Sequence, residues 1–380
     1  MRRFGVSINF MVACLVFLAG CAKPPDAIVG VENVSVSADQ LTQVKRRDIY
    51  VMTTRAAADD PAILFSGDRS DGLSLAKVTV TIPPGHKIGH IERAKTLPPD
   101  PRRDFTIIDP EVFSSDKAFK TDLRRSMYQR GPADRDILLF VHGFNTTFTD
   151  AILRTAQFAN DMDFKGIPVV FSWASKGKLL DYVYDLNSTL AARDRLAEAS
   201  HMLSTVSETG IDVVAHSMGN FLTMEAIRQF ALQDRYDIDG TVRTVILASP
   251  DIDMDVFETQ IAQLPVRQRK FYVLIAADDK ALGFSRRISG GVNRVGDADP
   301  DRLAKTGVTV VDLTQIKDTN SINHTKFADA PEVVQLIGRR LSEGHSLETR
   351  GDTQVANNLA RGIANIPVTA VGKGHFIVLP

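Results

Sequence analysis

The chain has 380 residues, 44% hydrophobic and 24% charged, which argues against a disordered or fibrous protein and allows a sizeable buried core. Its formal net charge of −1 argues against a nucleic-acid partner, because binding a polyanion needs a basic footprint that displaces counterions from phosphates. A single α/β domain often runs to about 250 residues or more, so one large domain with flanking segments is expected.

Met1-Arg2-Arg3 is positively charged, and Val6 to Ala19 is apolar apart from Ser7 and Asn9. That stretch is too short to span a bilayer comfortably and reads as a signal peptide over residues 1–20, with an uncleaved anchor as the alternative. Leu18-Ala19-Gly20-Cys21 resembles the lipobox of bacterial lipoproteins. The resemblance implies that Cys21 becomes the lipidated first residue of the mature chain, tethered to a membrane and facing the periplasm or exterior. Ala22 resembles the sorting signal for the outer membrane of a Gram-negative cell. Cys14 and Cys21 are the only cysteines, so the mature part is expected to hold neither a disulfide nor a thiolate metal site. Residues 21–45, with Pro24-Pro25 and small polar residues, read as a linker.

The one large α/β domain is expected over residues 46–345. Apolar or β-branched runs at 49–53, 76–82, 137–141, 167–171, 211–215, 242–247, 271–276 and 308–311 predict strands. Several are almost continuously apolar, as in a parallel sheet covered on both faces. Three- and four-residue apolar spacing predicts helices over 149–161, 188–207, 218–232 and 331–341. The Gly/Asp/Ser-rich stretch 66–72 predicts an antiparallel start, after which alternating strands and helices argue an α/β fold with a mostly parallel, doubly wound sheet. Residues 346–380 show weak periodicity and find no place in this scheme.

The sharpest motif is Ala215-His216-Ser217-Met218-Gly219, directly after an apolar strand and before a helix. This is the nucleophile-elbow pattern of α/β-hydrolases, with Ala at the first Gly position. Small residues two before and two after the Ser are needed because the turn is tight and strained. Such a turn lifts the Ser217 hydroxyl above the sheet, and the helix start offers N–H groups to a developing oxyanion. The other two members of a triad would follow in the order acid then His. Of the later histidines, His324 lies between the last strand and the last helix, whereas His345 and His375 lie beyond. Asp278-Asp279 ends the preceding strand, and only one of two adjacent carboxylates can hold an imidazole; Asp251, Asp253 and Asp312 are the other candidates. His142-Gly143-Phe144-Asn145 follows the strand 137–141, where esterases place an oxyanion turn, so the N–H groups of Phe144 and Met218 are the expected donors. His142 reads as a brace for that turn. His86 and His90 have the i, i+4 spacing of a metal pair but lack a third ligand, and no metal or cofactor is expected.

The set Phe140-Val141-His142-Gly143-Phe144-Asn145, Phe171-Ser172-Trp173-Ala174-Ser175, Ala215 to Gly219, Ser249-Pro250-Asp251-Ile252-Asp253 and Asp279-Lys280-Ala281-Leu282 resembles a bacterial α/β-hydrolase family of mostly uncharacterised members, the esterase/lipase superfamily. The resemblance spans roughly Arg47 to Leu341. It implies that the acid is the Asp immediately before Lys-Ala-Leu, which is Asp279. The family pattern has Pro where this chain has Ala174, a change that bears on the loop over the pocket. A serine esterase acting on a small acyl ester is therefore expected. A tethered binding or scaffold protein on the same fold is the competing class. Thioesterase, peptidase and acyltransferase share the same residues, because fold and triad do not fix the leaving group.

Overall fold

A computed structural model describes residues 23–36, 38, 41–237, 240–317, 322–342, 368–371 and 374–378. The expected signal peptide, Cys21 and His345 lie outside the described residues. Strands β1 (Lys45–Ala57) and β2 (Phe65–Ile82) form a long antiparallel pair, and β3 (Thr106–Val112) pairs antiparallel with β2 at the sheet edge. Helix α1 (Asp116–Tyr128) follows, capped by Ser115 and burying Phe119, Leu123 and Met127 at four-residue spacing. Strand β4 (Ile137–Val141) leads to α2 (Phe148–Asp161), β5 (Ile167–Ser172) to α3 (Tyr182–Ser204), and β6 (Ile211–His216) to α4 (Met218–Leu232). Next come β7 (Val242–Ala248), α5 (Met254–Ile261), β8 (Phe271–Ile275), α6 (Lys280–Ile288), α7 (Pro300–Ala304) and β9 (Thr309–Asp312). The last elements are α8 (Lys326–Asp329), α9 (Pro331–Ser342), β10 (Val368–Val371) and β11 (Gly374–Val378).

These strands form one sheet in the order β10-β11-β9-β8-β7-β6-β4-β5-β1-β2-β3, parallel from β11 to β1. The alternation along β4 shows why it reads as continuously apolar. Ile137, Leu139 and Val141 join a core with Phe119 of α1, Leu196 of α3 and Leu222 of α4, whereas Leu138 and Phe140 join a second core with Ile152 of α2 and Val333 of α9. Every residue of β4 is thus buried on one face or the other, which is the doubly wound arrangement. The C-terminal stretch that found no place in the sequence contributes β10 and β11; β11, which carries His375, lies parallel to β9.

Part of the 21–45 segment expected as a linker packs on the domain. Ile28 and Val29 are buried, Val29 bridges to Ile107, and Asp26 accepts from Arg93 and, through its backbone carbonyl, from Thr149. The Val29 and Gly30 N–H groups also donate to the Ala62 and Ile107 carbonyls, each at 2.8 Å, so apolar burial, one anchored carboxylate and backbone bonds together dock this segment. His86 likewise finds a structural place: its Nδ1 meets Glu92 at 2.8 Å and its Nε2 meets Asp161 at 2.6 Å. Among the described residues no helix is long and apolar enough to cross a membrane.

Candidate active site

The parallel pairing of β4, β6, β7 and β8 brings the loops after these strands to one edge of the sheet. Ser217 stands between the end of β6 and the start of α4 with φ 53° and ψ −125°, a left-handed conformation that costs energy in a non-glycine residue. The turn is over-determined by its neighbours. Ser217 donates its N–H to Ala248 at 3.0 Å, and its carbonyl accepts from the Asp251 N–H at 3.2 Å and from the Asn220 side-chain amide at 2.9 Å. That amide also donates to the Ala248 carbonyl at 2.9 Å, tying β7 to the elbow.

The small residues of the motif have a packing reason. A Cβ on Gly219 would lie 2.3 Å from the His142 carbonyl oxygen, so the first turn of α4 is pressed onto the turn that follows β4. A Cβ on Gly143 would lie 2.8 Å from Ser217 Cβ and 3.0 Å from His216 Nδ1. The turn after β4 therefore touches Ser217. Met218 opens a helix, so its N–H has no intrahelical acceptor, and the Phe144 N–H has no partner among the described residues. The Asn145 N–H is committed to Asp185 Oδ2 at 3.2 Å.

His324 lies on the loop between β9 and α8. Its Nδ1 donates to Asp279 Oδ2 at 2.7 Å, which leaves Nε2 as the unprotonated nitrogen of the neutral ring. Asp279 caps α6, its Oδ1 accepting from Ala281 and Leu282 at 3.0 and 3.1 Å. No hydrogen bond joins Ser217 to the His324 ring among the described residues; such contacts are often loose without substrate. The two are linked through His216, which precedes Ser217. Its Nε2 donates to the His324 carbonyl at 3.1 Å, and the two rings lie 4.7 Å apart. Burial, and next the neighbouring His324, hold the His216 pKa well below its ordinary value, so the ring stays neutral.

The other acid candidates are engaged elsewhere. Asp278 accepts from Lys326 Nζ at 2.7 and 2.9 Å and from the Asn323 amide at 2.9 Å. Asp251 accepts from Tyr182 at 3.0 Å and Ser285 at 2.5 Å and faces Arg294 at 3.3 Å. Asp253 caps α5, and Asp312 accepts from Thr314.

Two residues that sequence reasoning passed over hold the turn after β4. Arg55 is 1% exposed; it donates to the carbonyls of Thr146 and Ser175, each at 2.8 Å, and to Ser172 Oγ at 2.8 Å. Its Nη2 also meets His142 Nε2 at 3.4 Å, so His142 accepts there and donates from Nδ1 to the Gly143 carbonyl at 2.9 Å. Burial, reinforced by Arg55, pulls the His142 pKa down to about 3, and the ring stacks on Trp173 at 5.0 Å. Trp173 donates to the His142 carbonyl at 2.8 Å, with Ala174 buried beside it. Asp185, fully buried, accepts from Ser175 Oγ at 2.5 Å and the Lys176 N–H at 2.9 Å besides Asn145; burial raises its pKa against these bonds. No sequence signal marks Arg55, whose partners lie far away in the chain, or Asp185, which joins the nearby Ser175 and Lys176 to the distant Asn145. Among the described residues, no group of three His, Cys, Asp or Glu is arranged to hold a metal ion.

Residues 115–340 match a family described as alpha/beta hydrolase of unknown function (DUF900). A search of curated proteins returns no match. Among solved structures, the chain is similar to fungal esterases from Rhizomucor miehei at 11% identity and a TM-score of 0.33, covering 91% of this chain and 94% of that one. It is similar to esterase Est22 at 10% identity and a TM-score of 0.36, covering 89% and 88%. An arylesterase aligns at 10% identity and a TM-score of 0.31, covering 89% and 93%. Likenesses this loose carry no argument about the site.

Proposed function

The chain belongs to the alpha/beta hydrolase family of unknown function (DUF900), and from that premise we propose that it is a serine hydrolase cleaving carboxylic esters through Ser217, Asp279 and His324. The observation that carries this reading is the 2.7 Å bond from His324 Nδ1 to Asp279, on a loop tied through His216 to a serine in a strained strand-to-helix turn.

In this mechanism Ser217 Oγ attacks the ester carbonyl while His324 Nε2 takes its proton. The carbonyl π electrons move onto oxygen, and the oxyanion is met by the N–H groups of Phe144 and Met218, each contributing about 3–4 kcal/mol to lowering the barrier. Asp279 stabilises the imidazolium without taking its proton. The C–O bond to the alcohol then breaks, the alcohol leaves with the proton from His324, and an acyl-enzyme remains. Water, deprotonated by the same Nε2, attacks the acyl carbon, and collapse returns the proton to Ser217 and releases the acid. A panel of p-nitrophenyl esters of increasing acyl length, assayed beside the matching acyl thioesters, tests acyl length and leaving-group class. Hydrolysis absent in Ser217→Ala supports an esterase, and turnover confined to thioesters would replace that reading.

From the lipobox resemblance we infer that Cys21 is acylated, and from the resemblance of Ala22 to a sorting signal that the anchor sits in the outer membrane of a Gram-negative cell. Stable anchoring needs more than one acyl chain.

A further inference from the structure

The loops that follow β4, β5 and β8 share one edge of the sheet with Ser217, because those strands run parallel to β6. Two of these loops lead into segments with large apolar side chains in solvent. After β5, Leu179, Leu180 and Val183 are exposed, Leu180 to 97%. After β8, Phe284 and Ile288 are exposed on α6 at four-residue spacing, while Leu282 and Ser285 are buried. The two groups are neighbours: the hydroxyl of Tyr182, between Leu180 and Val183 in the chain, lies 2.9 Å from Oγ of Ser285, which follows Phe284. Exposed apolar side chains gathered in this way mark an interaction surface.

Charge and the path of the chain say what covers it. Residues 176–183 and α6 together carry Lys176, Lys178, Lys280, Arg286 and Arg287 against the single acid Asp181. Lys176 pairs with Asp68 and Arg286 with Asp297, and Lys178, Lys280 and Arg287 are exposed. Apolar side chains interleaved with cations suit an anionic lipid surface, where the first enter the acyl boundary and the second meet the phosphates. The segment before β1 arrives at this same edge. The Thr149 hydroxyl donates to the Asp26 carbonyl at 2.6 Å, and Thr147 Oγ lies 3.2 Å from Asp26 Oδ1, both at the start of α2. The loop after β5 rests there too, since a Cβ on Gly177 would lie 2.6 Å from Thr147 Cγ2. Lys23, paired with Asp26 at 3.4 Å, is two residues from Cys21, at most about 7 Å of extended chain. An acyl anchor on Cys21 would therefore enter the bilayer on the side of Leu179 and Leu180, not at the far end of the sheet.

We propose that the rim formed by Leu179, Leu180, Val183, Phe284 and Ile288 rests on an anionic lipid surface, so that the edge carrying Ser217 faces the membrane. The anchor argument rests on the proposed acylation of Cys21; the contact of the rim with lipid is tested without it.

The test places a reporter tryptophan in the rim, by Leu180→Trp or Phe284→Trp, and a control at Leu232→Trp. Leu232 is exposed at the far end of α4, about 22 Å of helix from Ser217. Trp173, the native tryptophan, is buried and gives a constant background. Quenching by brominated lipid is read for the full chain as expressed and for its Cys21→Ser form, each mixed with vesicles of phosphatidylcholine and phosphatidylglycerol. Both rim positions are expected to quench roughly threefold or more above Leu232→Trp in both forms, the Cys21→Ser form needing about tenfold more lipid and losing its binding as salt is added. Equal quenching at the three positions, or none at the rim, overturns the proposal. Mass spectrometry of the peptide containing Cys21 decides acylation separately: an unmodified Cys21 ends the anchor reading, and the rim then stands or falls on the Cys21→Ser result. A dimer in solution that Leu180→Ser with Phe284→Ser turns into a monomer would assign the rim to a second copy of the chain and also overturn the proposal.

Discussion

Asp279 holds His324 with one oxygen and a helix with the other: Oδ2 accepts from the imidazole Nδ1 at 2.7 Å, while Oδ1 accepts the first N–H groups of α6. A carboxylate anchored from the backbone side cannot follow a wandering ring. It therefore fixes the imidazole rather than merely pairing with it, and this division of labour separates Asp279 from its neighbour.

Asp279→Asn should keep the fold, because Asn caps a helix about as well as Asp. Its amide would face His324 Nδ1 with a donor and favour the wrong tautomer, costing on the order of 10⁴ in turnover. Asp278→Asn should instead weaken the partner of Lys326, a residue 1% exposed, and destabilise by about 1–3 kcal/mol with turnover largely kept. Ester kinetics and urea melts on both variants separate the two; a large kinetic loss confined to Asp278→Asn would reverse the assignment.

Gly143→Ala would drive a methyl toward Ser217 Cβ at 2.8 Å and His216 Nδ1 at 3.0 Å. The expected result is a loss of about 10²-fold in turnover, since a shift near 1 Å at reacting groups costs that much, with about 1–3 kcal/mol of destabilisation. Turnover within twofold of the wild type would mean that this turn does not touch the reacting centre.

Much of this site was legible because its signals are local. An apolar run, a small-x-Ser-x-small turn and a helix fall within twenty residues around Ser217; chain order then pointed to His324 and to the pair Asp278-Asp279, and the family resemblance chose Asp279 from that pair. What was not legible is held by long-range contacts. Arg55 sits about ninety residues before the turn it braces, and nothing in Thr53-Thr54-Arg55 marks a buried cation. Helix α1 escaped because Phe119, Leu123 and Met127 are its only large apolar residues before Tyr128, in an otherwise polar stretch. Strand β3 escaped because Asp109-Pro110-Glu111 is exposed, so only its first half carries an apolar signal. The docking of Ile28 and Val29 looked like a linker because two apolar residues make no period.

The buried histidines should pull stability in opposite directions with pH. For His86, burial lowers the pKa, but the bonds to Asp161 and Glu92 outweigh it and leave it raised. Its contribution is then full below the unfolded value of 6.5 and lost as pH rises through the folded one. For His142 the folded pKa is about 3, so its contribution is present above 6.5 and lost as pH falls below it. Chemical denaturation at pH 5.5 and 8.5 checks this. The stability deficit of His86→Gln should shrink from the lower to the higher pH, and that of His142→Gln should grow. Parallel trends would contradict the assigned environments.

Cys21→Ser should move the protein from the membrane fraction to the soluble one, since acylation is the anchor proposed for it. Sedimentation of the variant with membranes to the same extent as the wild type would remove the lipid anchor from the account.

The most direct measurement of the central claim is labelling with a fluorophosphonate probe, followed by mass spectrometry of the adduct. One adduct is expected, on the peptide containing Ala215 to Gly219, and absent from Ser217→Ala while that variant keeps its circular dichroism spectrum and melting temperature. Undiminished labelling of Ser217→Ala, or an adduct mapped to another serine, would contradict it.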